Sequence, residues 1–183
     1  EKSMNEAVEM LNPAVAAEPG HSQEISAMLT AAFQKQRQAY LADPVPSLDQ
    51  RREDLKKLKR MLSENLDDIV NAISEDYGNR SRHESLFAEV IAVTDGINDT
   101  IKQLKKWMKP QKRHVDISLY PGAKNRVIPQ PLGVIGLIIP WNFPVNLAFS
   151  QLTGVFAAGN RAMVKMSENS IALTRLLIKI SPN

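Results

Sequence analysis

Residues 133–139, Gly-Val-Ile-Gly-Leu-Ile-Ile, form a run with no polar side chain, and Pro140 stops it. A run this short and this apolar is the pattern of a strand covered on both faces. Pro140 keeps Ile139 extended and ends the hydrogen-bond ladder. Pro144 then supplies the fixed φ favoured in a first helical turn. Residues 145–158 are apolar nearly all round, as in a largely buried helix, and Gly159-Asn160 stops it. Arg161 to Lys165 reads as a second short strand. Ser170 stands where a last helix, 171–180, would be capped. Strand, helix and strand in succession make a βαβ unit, with parallel strands and an almost always right-handed crossover. The expected fold class is therefore α/β.

Upstream the period is helical. Ser22 is placed to cap a helix that runs to about Leu41, with Ile25, Met28, Leu29, Ala32, Phe33 and Tyr40 mostly on one face. Asp43-Pro44-Val45-Pro46 breaks it. Ser47-Leu48-Asp49-Gln50 has the spacing of a capping box. The stripe Leu48, Leu55, Leu58, Leu62, Leu66, Ile69 and Ile73 follows, with Asn65 as a second N-cap that divides it, and Gly78 ends the element. Ser81-Arg82-His83-Glu84 repeats the capping spacing and opens a helix with Leu86, Val90, Ile97, Ile101, Leu104 and Met108 inward, closed by Pro110. His83 in that first turn reads as a surface histidine. The period then becomes two: Val115 to Leu119 alternates as a half-buried strand, Pro121-Gly122 turns, and Arg126-Val127-Ile128 begins a return strand that Pro129 and Pro131 confine to an edge. The chain thus divides into an arm over 1–20, helices over 21–111, a β-hairpin over 112–131 and the sheet unit over 132–183.

Composition bounds the function. The chain has 183 residues, enough for one domain with a real core. The formal net charge is only +3 and the charged residues of both signs are interspersed, so no nucleic-acid partner and no anionic membrane surface are expected. No apolar stretch is long enough for a membrane span, and residues 1–20 lack the apolar core of a signal peptide and are expected to form a flexible arm. The sequons at Asn79 and Asn98 are then accidental. There is no cysteine, which excludes disulfides, thiolate metal sites and a cysteine nucleophile within this chain and fits a cytoplasmic protein.

The chemistry gathers at one rim. Both strands of the βαβ unit end there, so Asn142 and Lys165 are neighbours although 23 residues apart. The helix from Pro144 directs its positive N-terminal end at the same rim. Asn142 either satisfies backbone groups in a tight turn or donates to an oxygen that becomes negative during a reaction. Lys165 and Glu168 are either a solvated ion pair or a pair suited to the vicinal hydroxyls of a ribose, in which the carboxylate repels a 2′-phosphate. No glycine-rich phosphate loop follows the first strand.

Pro131 to Val134, Ile139-Pro140-Trp141-Asn142-Phe143-Pro144, Ala157-Ala158-Gly159-Asn160 and Val164-Lys165-Met166-Ser167-Glu168 resemble, in order and spacing, the first motifs of the NAD(P)-dependent aldehyde dehydrogenase superfamily. The stretch Asp76 to Ser85 looks closest to the coniferyl aldehyde dehydrogenases. The resemblance covers residues 22–183. It implies a Rossmann-like NAD-binding sheet beginning at 132, a helical part of the coenzyme-binding domain over 21–111 and an oligomerisation-type hairpin over 112–131. It makes Asn142 the oxyanion-hole amide. Lys165 and Glu168 hold the adenine ribose of NAD, with NADP also open. Ile138, Ile139, Pro140 and Trp141 line the cofactor cleft, partly through backbone groups, and Ser167 lies beside it. Met166 departs from the proline usual in the family.

The resemblance also implies an incomplete domain: an N-terminal portion without the pyrophosphate-binding turn, the general-base glutamate and the nucleophilic cysteine. The complete enzyme would add a thiolate to an aldehyde, aromatic in the coniferyl-like case. It would pass hydride to NAD⁺, hydrolyse the thioester and assemble as a homodimer or higher oligomer. A truncated, non-catalytic oligomerisation or binding module of the same fold is the alternative.

Overall fold

A computed structural model describes residues 19–181. The arm expected over 1–20 lies outside these residues except at its end, where Pro19 and Gly20 are helical. Helix α1 spans Pro19–Ala42 and begins before the anticipated cap at Ser22, since proline fits a first helical turn. Its apolar face is not covered: Met28, Leu29 and Phe33 are all exposed. It is held near its end by the Tyr40 hydroxyl, which donates to the Pro131 carbonyl at 3.3 Å.

Helices α2 (Leu48–Glu64) and α3 (Leu66–Asp76) carry the predicted stripe inward, with Leu55, Leu62, Ile69 and Ile73 fully buried. Each such side chain contributes about 1.5–3 kcal/mol relative to exposure. The capping chemistry differs from the expected form. The Gln50 amide donates to Ser47 Oγ at 3.2 Å, but the Gln50 side chain bonds Asp54 instead of reaching back, so only half a capping box forms. Asn65 divides α2 from α3 as expected. Its side chain nevertheless donates to the Met61 carbonyl, closing the helix before it instead of capping the one after. Gly78 at φ +63° ends α3.

A short helix α4 (Arg82–Ser85) continues through a π-helical turn (Leu86–Ile91) into α5 (Ala92–Trp107). Ser81 makes no side-chain cap bond, and the Glu84 side chain, which a capping box would turn back to Ser81, pairs with Arg80 instead. The π turn, which no periodicity announced, inserts wider i→i+5 geometry and leaves Glu89 buried beside Val90.

The hairpin is smaller than expected. Strands β1 (Gln111–Arg113) and β2 (Asn125–Val127) pair antiparallel and are exposed throughout. The alternating segment 115–119 is not a strand. The Asp116 carboxylate accepts from the Ser118 amide and hydroxyl, and its carbonyl accepts from the Tyr120 amide, so the segment folds into turns. A local side-chain acceptor has outcompeted the ladder there. Gly122 at φ +80° occupies the tip as predicted.

Strands β3 (Val134–Ile138) and β4 (Arg161–Lys165) are parallel, with Ile138 opposite Lys165. Helix α6 (Pro144–Ala157) crosses between them, and α7 (Ile171–Ile180) follows. This mixed helix and strand order with a parallel crossover is the α/β class read from the sequence. The strand is not covered on both faces, however: Leu137 and Ile139 enter the core while Ile138 is 80% exposed. One face of the two-stranded sheet packs on α6 and the other is open. Asn160 Oδ1 accepts from the Leu132 and Gly133 amides at 2.6 and 2.9 Å, tying the start of β3 to the turn before β4. The Ser170 side chain does not cap α7. The Asp76 carboxylate does, taking the Ala172 and Leu173 amides at 2.8 and 3.0 Å. Among the described residues no helix is long and apolar enough to cross a membrane.

Candidate active site

The turn between β3 and α6 is built by its two prolines. Ile139 still pairs, its amide donating to the Lys165 carbonyl at 2.9 Å. Pro140 has no amide to continue the ladder, so Trp141, Asn142 and Phe143 leave the sheet before Pro144 starts α6. Asn142 is exposed, and its side-chain amide bonds to none of the described residues. The backbone-satisfying role is therefore not the one seen; the amide is free to donate outward.

The backbone around Asn142 is fixed from a direction the sequence did not indicate. Arg80 Nη1 donates to the Asn142 carbonyl at 3.0 Å and to Glu89 Oε1 at 3.0 Å. Its guanidinium lies over the rings of Tyr77 and Phe143, 5.0 and 4.6 Å from their centroids. Tyr77 in turn packs near Trp141, with centroids 6.3 Å apart. Glu89 is fully buried, and its second oxygen accepts from the Val145 and Asn146 amides at 2.7 and 3.2 Å. Burial pushes the Glu89 carboxyl above its ordinary value, against the pull of those two amides and of Arg80. The positive N-terminal end of α6 expected to face the rim is thus already occupied by a carboxyl group from below.

Lys165 and Glu168 pair with each other at 2.9 Å, with side chains 56% and 49% exposed. The Lys165 ammonium holds the Glu168 carboxyl below its ordinary value. With Ser167 they lie on the wall of a cleft of about 1110 Å³ between α1, α2, α6, β4 and α7. Ser167 is buried, and its hydroxyl accepts from the Asn169 amide at 3.2 Å, so its role is to shape the turn that presents Glu168. Met166 lines the same cleft without disturbing either neighbour. Asn142 and the residues Ile138 to Trp141 do not line that cleft. Ile138 and Trp141 are exposed beside the open sheet face, as is Pro140, while the Ile139 side chain is buried and can offer only its backbone. The parallel strands bring the two groups to one rim, as expected, but as two surfaces: a free amide above β3 and an ion pair on the cleft beyond β4.

Arg80, Glu89 and Asp76 are the residues that sequence reasoning missed. Glu89 carried a signal: at three residues from Leu86 and four from Val93, it is an acid on the inward stripe.

The protein-family model described as the aldehyde dehydrogenase family matches residues 1–182. A probable coniferyl aldehyde dehydrogenase of Pseudomonas aeruginosa is 46% identical over 155 residues, covering 85% of this chain and 32% of that protein. A coniferyl aldehyde dehydrogenase of another Pseudomonas species is 40% identical over 152 residues, covering 83% and 31%. The substrate-bound structure of Staphylococcus aureus AldH superposes with a TM-score of 0.78 at 27% identity, over 84% of this chain and 33% of that one. The chain therefore spans about a third of the length of these relatives. The motifs that resembled the family, the βαβ unit that presents them and the match over nearly every residue agree: this chain belongs to the aldehyde dehydrogenase family.

Proposed function

We propose that this chain supplies the oxyanion amide and the adenosine-ribose end of the cofactor site of an NAD(P)-dependent aldehyde dehydrogenase that oxidises an aromatic, coniferyl-like aldehyde to its acid. The observation that carries the reading is the free Asn142 amide, exposed at the strand end while its backbone carbonyl is held by Arg80. A preorganised neutral donor costs little reorganisation when negative charge develops on the aldehyde oxygen. It stabilises that oxygen without giving up a proton.

The residues present fit the ribose of a dinucleotide. An exposed ammonium and carboxylate on the wall of a cleft match its two hydroxyls, one as donor and one as acceptor. When bound, the nicotinamide cofactor supplies the hydride acceptor. Glu168 disfavours a 2′-phosphate, which favours NAD over NADP. On the same reading, residues 21–111 and 132–183 belong to the coenzyme-binding domain, and the exposed hairpin serves contacts between subunits in a homodimer or larger oligomer. The high identity to the coniferyl aldehyde dehydrogenases supports the substrate class.

The test is to assay the complete protein with coniferyl aldehyde and with aliphatic aldehydes, following NADH absorbance. The expected result is steady NADH formation, fastest with the aromatic aldehyde. The 183-residue chain alone, which has no cysteine, should form none. Turnover by that chain in proportion to its concentration, or preference for aliphatic aldehydes in the complete protein, would overturn the mechanism or the substrate class respectively.

A further inference from the structure

The Arg80–Glu89 pair lies beneath the turn that carries Asn142, and the function proposed above uses only its bond to the Asn142 carbonyl. The Arg80 side chain is 7% exposed and that of Glu89 is 0% exposed. Together with the backbone between them they hold residues 142–146 at four atoms. Arg80 Nη1 takes the Asn142 carbonyl at 3.0 Å, Glu89 takes the Val145 and Asn146 amides at 2.7 and 3.2 Å, and the Ala88 carbonyl takes Asn146 Nδ2 at 2.6 Å. Arg80 is itself fixed by Glu84 at 3.1 Å and by the flanking Tyr77 and Phe143 rings.

The attraction between the two charges does not by itself explain this arrangement. A buried ion pair roughly breaks even against apolar residues of the same volume, because desolvation offsets the attraction. An apolar pair, however, cannot hold a carbonyl. Fixing the carbonyl of residue 142 limits the rotation of the peptide that follows it. Together with the anchored amides at 145 and 146, it fixes the backbone from which the Asn142 side chain projects.

We propose that Arg80 and Glu89 are positioning residues that set the direction of the Asn142 amide, and through it the turnover of the enzyme. The proposal rests on the reading of Asn142 as the oxyanion donor. A single ammonium at position 80 keeps the charge beside Glu89 but lacks the planar fork that serves Glu84, Glu89 and the carbonyl together. Arg80→Lys therefore preserves charge and loosens geometry.

The experiment is a double-mutant cycle in the complete protein with Arg80→Lys and Asn142→Ala, measuring kcat at saturating aldehyde and NAD⁺, the NAD⁺ Kd and the melting temperature. Alone, Arg80→Lys is expected to lower kcat by roughly tenfold to a hundredfold, the scale of a misplacement of about 1 Å, with the NAD⁺ Kd unchanged. Added to Asn142→Ala, it is expected to lower kcat no further. An equal loss in both backgrounds overturns the positioning role and leaves the oxyanion role standing. An Asn142→Ala protein with full turnover overturns both. Glu89→Gln, of nearly the same shape, is the second arm and is decisive if Arg80→Lys does not fold. The same non-additive pattern is expected, and an undiminished kcat in a folded Glu89→Gln protein overturns the proposal.

Discussion

Arg80 and Asn142 are 62 residues apart in the chain, and a hydrogen bond of 3.0 Å joins the guanidinium of one to the backbone carbonyl of the other. The bond leaves the Asn142 side chain free while fixing the peptide that bears it. The segment that precedes the sheet thereby acts on its rim: Arg80, in the loop before α4, holds the turn into α6, Glu89 holds the start of α6, and Asp76 holds the start of α7.

On the proposed function, Glu168 favours NAD over NADP. Its carboxylate pairs with Lys165 at 2.9 Å on the cleft wall. Glu168→Gln in the complete protein should weaken NAD⁺ binding by roughly tenfold, the effect of removing a charge-assisted bond, and should improve the relative use of NADP⁺. Titration of both cofactors into wild type and variant checks this. An unchanged preference would leave the pair as a solvated surface contact.

Gly159 is required by its conformation and by its neighbour. It sits at φ +80°, and a Cβ there would lie 2.7 Å from Arg51 Cζ. Arg51 cannot move aside freely, because it donates to the Pro46 and Ala157 carbonyls at 2.9 and 3.1 Å. Gly159→Ala should cost about 1–3 kcal/mol. Urea unfolding measures it, and a stability equal to wild type would show that the turn relaxes more easily than its bonds imply.

Asp76 caps α7 from another helix through two amides. Asp76→Ala should destabilise the fold by about 1 kcal/mol, the usual worth of an N-cap. Asp76→Asn, which keeps an acceptor, should cost less. Chemical denaturation of the three proteins orders them; equal losses in both variants would point to the charge alone.

Glu89 gives stability a pH dependence of definite sign. Burial raises its carboxyl above the ordinary value of 4.5. A folded pKa above the unfolded one adds stability below the unfolded value, and that contribution is lost as pH rises through the folded value. Wild type should therefore gain stability relative to Glu89→Gln as pH falls toward the ordinary carboxyl value of 4.5. Paired urea midpoints across that range test it. The opposite trend would mean that the amides and Arg80 outweigh burial.

The sequence disclosed what has a period or a local signature. The run 133–139, the prolines at 140 and 144 and the glycine at 159 specified the crossover, and with it the rim where Asn142 and Lys165 emerge. The leucine stripe specified α2 and α3. Long-range polar contacts leave no such trace. Asn160 spans 28 residues to the start of β3, Asp76 spans 96 to α7, and Arg80 spans 62 to Asn142. At 115–119 the alternation was present, but the Asp116 carboxylate offered a nearer acceptor than a partner strand. The openness of the sheet face at Ile138 was equally hidden, since an apolar run reads alike whether one face is covered or two.

The oxyanion role of the Asn142 amide shows itself in one rate constant. In the complete protein, kcat should fall by roughly 10²–10³ on Asn142→Ala, the loss seen when one oxyanion donor is removed, while the NAD⁺ Kd stays at its wild-type value. Full turnover by a correctly folded Asn142→Ala protein would contradict the account.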